Sequence, residues 1–339
     1  MKNHIESIDY LRAVMSVFVV LWHLGGAGRS GLYSMGFAEH SITLTDVVNF
    51  YILLLAVPAF FFISFYLFAK APKSPKMLFS RLSRFFILAT FWMVAYIYIM
   101  NGGSHGLVSF YQYIAHSPLS AYITIFNAGG SIYYFFPSLF ILVLLAYAFH
   151  SAKNSILFIG LVISTLSLAV IPTLTEATRS VLFGSYWSPL NFTPYVFLGI
   201  LFANNQDALI RYKWKLLAGL AVGFAIAAVF EWNFSVGLMH LRIQNYAIPA
   251  YMRPSLVFAA SMIGVVCLTS NIRSNVVIRF MAKYSLALFC LHPFFIGFAK
   301  RTVGNNGVVD NLIATVLVIT ICYITAFVLS KYLNKKVLF

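Results

Sequence analysis

The sequence is poor in charged residues, and in acidic ones above all. Only 9% of its 339 residues are charged and only 8 are Asp or Glu, whereas soluble domains carry roughly 25% charged residues. Hydrophobic residues make up 61% of the chain, and its mean hydropathy is +0.87. This composition excludes an ordinary soluble domain and predicts a chain that spans the lipid bilayer.

Cysteines are few, and the N-terminus lacks the signs of a cleavable leader. Cys267, Cys290 and Cys322 fall inside apolar runs without CxxC or metal-ligand spacing. We therefore interpret them as packing residues and expect no metal site. No basic region followed by a short apolar run and a small-residue cleavage site precedes the first apolar segment, which is interpreted as a retained helix.

A continuous basic domain is also absent, although the net charge is +15. The basic residues stand in short loops between apolar runs, which argues against nucleic acid as a partner and favours membrane topology as the cause. With both termini assigned to the cytoplasm, most Lys and Arg residues fall on that side, as the positive-inside rule requires. The inner set is Lys2, Lys70, Lys73, Lys76, Arg81, Arg84, Lys153, Arg211, Lys213, Lys215, Arg273, Arg279, Lys283, Lys331, Lys335 and Lys336; the outer set is Arg29, Arg179, Arg242, Arg253, Lys300 and Arg301.

Ten apolar segments are long enough to cross a bilayer as helices, which needs about 20 residues each. No soluble domain, low-complexity linker or repeat of fixed period interrupts them, so residues 1–339 are expected to form one all-α transmembrane bundle. The outer connection 101–130 is semi-apolar, which predicts a re-entrant or interfacial segment. The predicted spans are about 10–26, 46–69, 85–100, 131–150, 154–172, 189–204, 216–232, 251–270, 284–299 and 311–332.

The first span contains an arginine and a histidine on one helical face. Arg12 and His23 are separated by three helical turns and a rise of about 16 Å. A charge inside a membrane helix is costly, so Arg12 needs a polar cavity or a partner such as Asp9. The alternative is that Arg12 reaches the cytoplasmic headgroups and His23 lies at the outer interface beside Trp22.

Two further segments contain polar groups that could act chemically. The loop entering the third span is basic and includes Arg81 and Arg84, whose guanidinium groups suit phosphate oxygens. A plain positive-inside loop is the alternative. In the ninth span His292 precedes Pro293, which favours a kink; His292 is either functional or a packing histidine bonded to a backbone carbonyl.

Together these segments resemble the integral-membrane acyltransferase 3 family. Arg12 and His23 match the family's Arg-x10-His signature, and Arg81 and Arg84 match its R-x2-R pattern. YSLALFCLHPFF, which includes His292, is close to the family's YSLGIYLLHPxF. The second span, VPAFFFISFYLFAK, resembles the family segment VPxFFxISGYLL at Val57, Pro58, Phe60, Phe61, Ile63, Ser64, Tyr66 and Leu67. The fourth span, SIYYFFPSLFILVLL, is a weaker match to a family helix in which tryptophan is more usual than Ile132, Tyr133 and Tyr134.

One position departs from the family pattern. Phe65 stands where the family usually has glycine. A bulky side chain there changes the local helix packing and puts in doubt the close approach that a glycine permits.

The resemblance implies an O-acyltransferase that moves an acyl group, with acetyl as the first choice, from cytoplasmic acyl-CoA to a glycan hydroxyl. It implies that Arg12, Arg81 and Arg84 hold the donor head, and that His23 is the general base or, alternatively, forms a covalent acyl-histidine. His292 is expected to orient the acceptor or stabilise the oxyanion. Acyl-CoA is a co-substrate, and no permanently bound cofactor is expected.

The implied partners are a cell-surface or lipid-linked glycan and the bilayer, with a homo-oligomer left open. Tyr133, Tyr134 and Trp187 are expected to bind the acceptor, although an interfacial aromatic belt uses the same residue types. The implied location is the bacterial cytoplasmic membrane. A glycan transporter or flippase without acyl transfer is the main alternative function, and a sensor or scaffold ranks last.

Overall fold

A computed structural model of the protein describes residues 6–27, 44–178, 185–236, 250–304 and 307–332, with the backbone alone for 171–178 and 232–236. All regular elements of these residues are helical, which confirms the predicted all-α class. Both chain termini and three basic residues assigned to the outer side, Arg29, Arg179 and Arg242, lie outside the described residues.

The helices follow one another through short connections. Two 3-10 turns precede α6, Ala128–Gly130 and Ile132–Tyr134, and one precedes α8, Pro189–Phe192. The helices are α1 (Glu6–Leu24), α2 (Leu44–Ala69), α3 (Pro75–Met100), α4 (Ser104–His116), α5 (Pro118–Phe126), α6 (Phe135–Phe149), α7 (Asn154–Thr178), α8 (Thr193–Asn204), α9 (Gln206–Arg211), α10 (Lys213–Val236), α11 (Pro254–Thr269), α12 (Val276–Lys283), α13 (Ser285–Val303) and α14 (Val308–Leu329).

Seven helical segments in the described residues are long and apolar enough to cross a membrane. They lie in α1, α2, α3, α6 with its preceding turn, α10, α13 and α14. Each of the ten predicted spans overlaps a helix, but α8 and α11 have only 12 and 16 residues. The count of ten and the cytoplasmic location of the termini therefore stay predictions.

The outer connection after α3 forms two short helices at the surface of the bundle. Neither α4 nor α5 contains a buried residue. A re-entrant segment would be enclosed by protein, because its backbone must be shielded from lipid. The exposure of α4 and α5 favours the interfacial interpretation.

Aromatic side chains packed against small residues hold the central helices together. Phe65, which replaces the family glycine, is fully buried. The glycine at this contact lies on the opposite helix: a Cβ added to Gly199 would come within 2.8 Å of the Phe65 Cβ and 2.7 Å of the Tyr66 backbone nitrogen. The helices α2 and α8 therefore approach closely at Phe65, and the small residue at this contact lies on α8. Such contacts suit membrane helices, which associate through packing rather than through exclusion of water.

Candidate active site

Three arginines that the sequence singled out line one cavity inside the bundle. Arg12 of α1 and both Arg81 and Arg84 of α3 lie around a volume of about 380 Å³, together with the hydroxyl-bearing residues Ser64 and Ser285. No acidic residue lines this cavity within the described part of the chain. Three positive groups facing one space form a site suited to an anion.

Arg12 is directed into this cavity. Its Nη2 donates a hydrogen bond to the Ser285 Oγ at 3.2 Å, and Asp9 and Arg84 are its electrostatic neighbours. This arrangement differs from the headgroup-facing alternative, in which the guanidinium would leave the bundle. Arg81 is fixed by a different contact, since its guanidinium carbon lies 5.1 Å from the centre of the Phe68 ring.

A wider cavity opens beside the first and shares Arg12 and Arg81 with it. It encloses about 970 Å³. Lys70 and Arg273 add positive charge to its lining, and Glu6 and Asp9 are its acidic residues. These residues come from the start of α1, the end of α2, the start of α3 and the segment after α11, which all lie at the end of the bundle predicted to be cytoplasmic.

The other end of the arginine-lined cavity is aromatic and leads toward a histidine. Phe136 and Phe289 belong to its lining, and their ring centres lie 5.8 Å apart. The Phe289 ring centre lies 6.1 Å from that of His292. The cavity therefore runs from a cationic end to an apolar wall beside the imidazole.

His23 and His292 form a pair deep in the bundle. Their ring centres are 5.2 Å apart, with 39° between the ring planes. The His292 Nδ1 lies 3.1 Å from the carbonyl oxygen of Leu288. Because a carbonyl oxygen only accepts, Nδ1 carries the proton and Nε2 carries the lone pair. This Nε2 is buried and has no hydrogen-bond partner among the described residues.

The end of α1 that bears His23 is held by two asparagines. Gly25 and Gly26 have φ angles of +116° and +61°, in the left-handed region that favours glycine. The Asn311 Nδ2 donates to the Gly26 carbonyl at 3.1 Å, and the Asn49 Oδ1 accepts from the Ala27 backbone nitrogen at 2.8 Å. The position of His23 is therefore fixed from both α2 and α14.

The three residues expected to bind the acceptor are all buried. The Tyr133 hydroxyl donates to the Cys290 carbonyl at 2.6 Å. Tyr134 packs edge-on against Tyr186 with ring centres 5.4 Å apart, and the Trp187 carbonyl accepts from the Ser138 hydroxyl. Tyr133 thus supports the helix that carries His292. A role of these residues in acceptor binding stays a prediction.

A buried ion pair lies near the predicted outer ends of α10 and α11. The sequence analysis did not predict it. Glu231 and Arg253 are 0% and 2% exposed and approach to 3.6 Å. Glu231 also accepts from the Ser255 backbone nitrogen at 2.8 Å and from the Tyr51 hydroxyl at 3.1 Å. An acid near the end of an apolar segment indicates that a partner is needed, but the sequence does not say which residue supplies it.

Ser285 is the other contact that sequence reasoning overlooked. It lies two helical turns before His292 on α13, so both residues lie on the same face of that helix. Ser285 meets Arg12, and His292 meets His23. The helices α1 and α13 are therefore joined by two polar contacts, one at each end of the candidate site.

Comparison with family models matches nearly the whole chain. The acyltransferase 3 model, described as an acyltransferase domain, covers residues 5–331. Comparison with curated proteins and with solved structures found no match.

Proposed function

The chain belongs to the acyltransferase 3 family, and from this premise we propose that it moves an acyl group, most simply acetyl, from cytoplasmic acyl-CoA to a hydroxyl of a cell-surface or lipid-linked glycan. That it is a membrane acyltransferase follows from the family and from its apolar helices. The donor, the acceptor and the residue roles are the proposal. The observation that carries it is the arginine-lined cavity, whose lining residue Phe289 packs against His292 of the histidine pair.

The charges of the two cavities support acyl-CoA as the donor. The wide cavity is open at the predicted cytoplasmic end and has four basic and two acidic lining residues, and the narrower cavity adds Arg84. The phosphates of CoA are anionic, and guanidinium groups bind them through paired hydrogen bonds. The narrower, mainly apolar cavity suits the pantetheine arm and the thioester that follows it.

The location of His23 supports its role as the general base. It takes a proton from the acceptor hydroxyl as that oxygen bonds to the thioester carbonyl carbon. The tetrahedral intermediate then collapses, the bond from carbon to sulfur breaks, and the proton on His23 passes to the departing thiolate. The products are the acylated glycan and free CoA. An acyl group carried on His23 remains the second route.

The hydrogen bond of His292 favours an orienting role over oxyanion stabilisation. With Nδ1–H engaged by the Leu288 carbonyl, its Nε2 accepts a hydrogen bond and cannot donate one to an oxyanion while the ring is neutral. If the lone pair of the His292 Nε2 points toward His23 or toward an acceptor hydroxyl, it accepts a hydrogen bond from that group. The proton that is to be transferred is then held in a fixed direction. His292 is therefore proposed to position the proton.

The transporter alternative has less support from the buried acids. Proton-coupled transport uses intramembrane carboxylates that change their protonation. Glu231, the chief candidate, is occupied by Arg253, Ser255 and Tyr51. A flippase would also have no need for three arginines around one cavity inside the bundle.

The proposal is tested by incubating the purified protein with radiolabelled acetyl-CoA and candidate glycans. We expect His23→Ala to lower acceptor labelling by at least about 100-fold, the usual minimum contribution of general base catalysis. His116→Ala is the matched control, because His116 is exposed at the end of α4 and should be dispensable. The melting temperature and elution volume of both variants should stay close to the wild type.

Full acceptor labelling by His23→Ala would refute the catalytic assignment. Label retained on the wild-type protein after rapid quenching without acceptor, and lost in His23→Ala, would select the acyl-histidine route. Movement of glycan across vesicles with no labelled product would instead favour the transporter.

A further inference from the structure

A third cavity, separate from the arginine-lined and wide cavities, lies at the predicted outer end of the bundle. It encloses about 550 Å³ between the end of α3, the helices α4 and α5, and the turn that follows α5. We call it the outer cavity. Its volume falls in the range of roughly 300 to 1,000 Å³ that is usual for small-molecule sites.

The outer cavity has mostly apolar walls that carry several hydrogen-bonding side chains, none of them charged within the described residues. Its hydrogen-bonding residues are of the amide, hydroxyl and imidazole kinds, which both donate and accept. Phe110 and Tyr113 add aromatic faces, and no Asp, Glu, Lys or Arg lines it within the described residues. The polar residues are Asn101, His105, Ser109, Ser120, Thr124 and Asn127.

This lining matches the chemistry of a neutral sugar. A sugar unit presents several hydroxyl groups that both donate and accept, and apolar C–H faces that pack on aromatic rings. An anionic ligand would require basic groups, as in the arginine-lined cavity, and a lipid chain would offer no hydrogen-bond partners to the amide, hydroxyl and imidazole groups of the lining. The two cavities therefore differ in the ligand they suit.

Two local contacts shape the walls of the outer cavity. A Cβ added to Gly106 would lie 2.6 Å from the Asn101 carbonyl oxygen, so α4 packs closely on the end of α3. The Ser117 hydroxyl accepts from the Ser120 backbone nitrogen at 3.0 Å and caps the start of α5. These local contacts give the cavity its walls without a bound ligand.

The outer cavity adjoins the aromatic layer that surrounds the histidine pair. Ile97 lines the cavity, and the preceding residue, Tyr96, packs on Phe294 with ring centres 6.1 Å apart. Phe294 follows His292 by two positions on α13. A ligand held in the outer cavity would lie on the outer side of this aromatic layer, opposite the arginine-lined cavity.

We propose that the outer cavity is the acceptor subsite and that it binds an uncharged sugar unit of the glycan. This inference rests on the proposed function, because it assigns the acceptor of that reaction to a place. It differs from the prediction that Tyr133, Tyr134 and Trp187 bind the acceptor, since none of these residues lines the cavity.

Sugar binding can be measured without any acyl transfer. Saturation-transfer-difference NMR on the full chain, in a detergent without a sugar headgroup, should show magnetisation transfer to neutral disaccharides and little to a uronic acid. Ser109→Trp fills the cavity and should lower that transfer at least about fivefold; His105→Leu, a smaller change, should lower it less. Ala115→Trp is the matched control, because Ala115 is exposed on α4 and does not line the cavity.

Acyl transfer then separates this proposal from the proposed function. Ser109→Trp should raise the KM for the acceptor about tenfold and leave the affinity for acyl-CoA unchanged. Wild-type sugar binding by both Ser109→Trp and His105→Leu would overturn the subsite, even where His23→Ala abolishes transfer. Sugar binding that depends on Ser109 and His105 would support it, even where no acyl transfer is found.

Discussion

Arg12 shows at the scale of a single residue how the candidate site is assembled. Its partner Ser285 lies in a distant part of the sequence, and the same two helices meet again at His23 and His292. Along α1, Arg12 and His23 are about 16 Å apart, whereas Ser285 and His292 are about 10 Å apart along α13. The long arginine side chain covers this difference.

Removal of the Arg12 guanidinium should weaken donor binding. We expect Arg12→Ala to raise the Kd for acyl-CoA at least about tenfold, or about 1.4 kcal/mol, because a cation in the donor cavity is lost. Ser285→Ala keeps that charge and should raise the Kd by less. Titration calorimetry of the detergent-purified protein measures both values.

Arg301→Ala is the matched control for this titration. Arg301 is exposed at the end of α13 and lines neither the wide cavity nor the arginine-lined cavity. Its loss removes the same charge from the protein without changing the site. Equal Kd values for Arg12→Ala and Arg301→Ala would indicate that Arg12 contributes to membrane topology and not to acyl-CoA binding.

At the scale of the helices, the contact of α2 with α8 explains how the chain tolerates Phe65. The family glycine lies on α2, whereas here the glycine of this contact is Gly199 on α8. Phe65 is then free to stack on Phe61, with ring centres 6.2 Å apart. A close helix approach requires one small residue at the crossing, and either helix can supply it.

Gly199→Ala should therefore lower the melting temperature of the protein. The added Cβ meets backbone and Cβ atoms of α2, which cannot rotate away, and overpacking of this kind costs roughly 1 to 3 kcal/mol. Gly219→Ala provides the control on α10, since its Cβ would meet nothing within 4 Å. Alanine there should be neutral or stabilising by up to about 1 kcal/mol. A Gly199→Ala protein as stable as Gly219→Ala would contradict the close approach.

Periodicity and hydropathy predicted the helical segments and the common face of Arg12 and His23, because both follow from local sequence. They could not predict Ser285 as the partner of Arg12 or Glu231 as the partner of Arg253. These contacts join separate helices, and which faces meet is set by packing. The role of Gly199 could not be predicted for the same reason. A glycine in an apolar helix can serve a close helix contact only where another helix packs on it, and the sequence does not show which helix that is.

At the scale of the whole molecule, the polar features lie in order along the bundle. The wide cavity and the arginines come first, the histidine pair follows, and the outer cavity lies beyond the aromatic layer. In the proposed reaction, donor and acceptor would approach the histidines from opposite ends, so acyl-CoA would not have to cross the membrane intact. This arrangement requires the wide cavity to open to the cytoplasm.

Cysteine labelling tests that orientation, because Cys267, Cys290 and Cys322 are all buried and should not react. A membrane-impermeant maleimide should label Asn271→Cys, which is exposed in the wide cavity, only in inside-out vesicles. Gln112→Cys, exposed on α4, should be labelled only in intact cells. Lys153→Cys, exposed on the predicted cytoplasmic side but outside the cavity, should behave as Asn271→Cys.

Acyl-CoA should slow labelling of Asn271→Cys but not of Lys153→Cys, since only the former competes with the donor for space. Labelling of Asn271→Cys from outside the cell would reverse the topology and place the cationic cavity on the wrong side for a cytoplasmic donor.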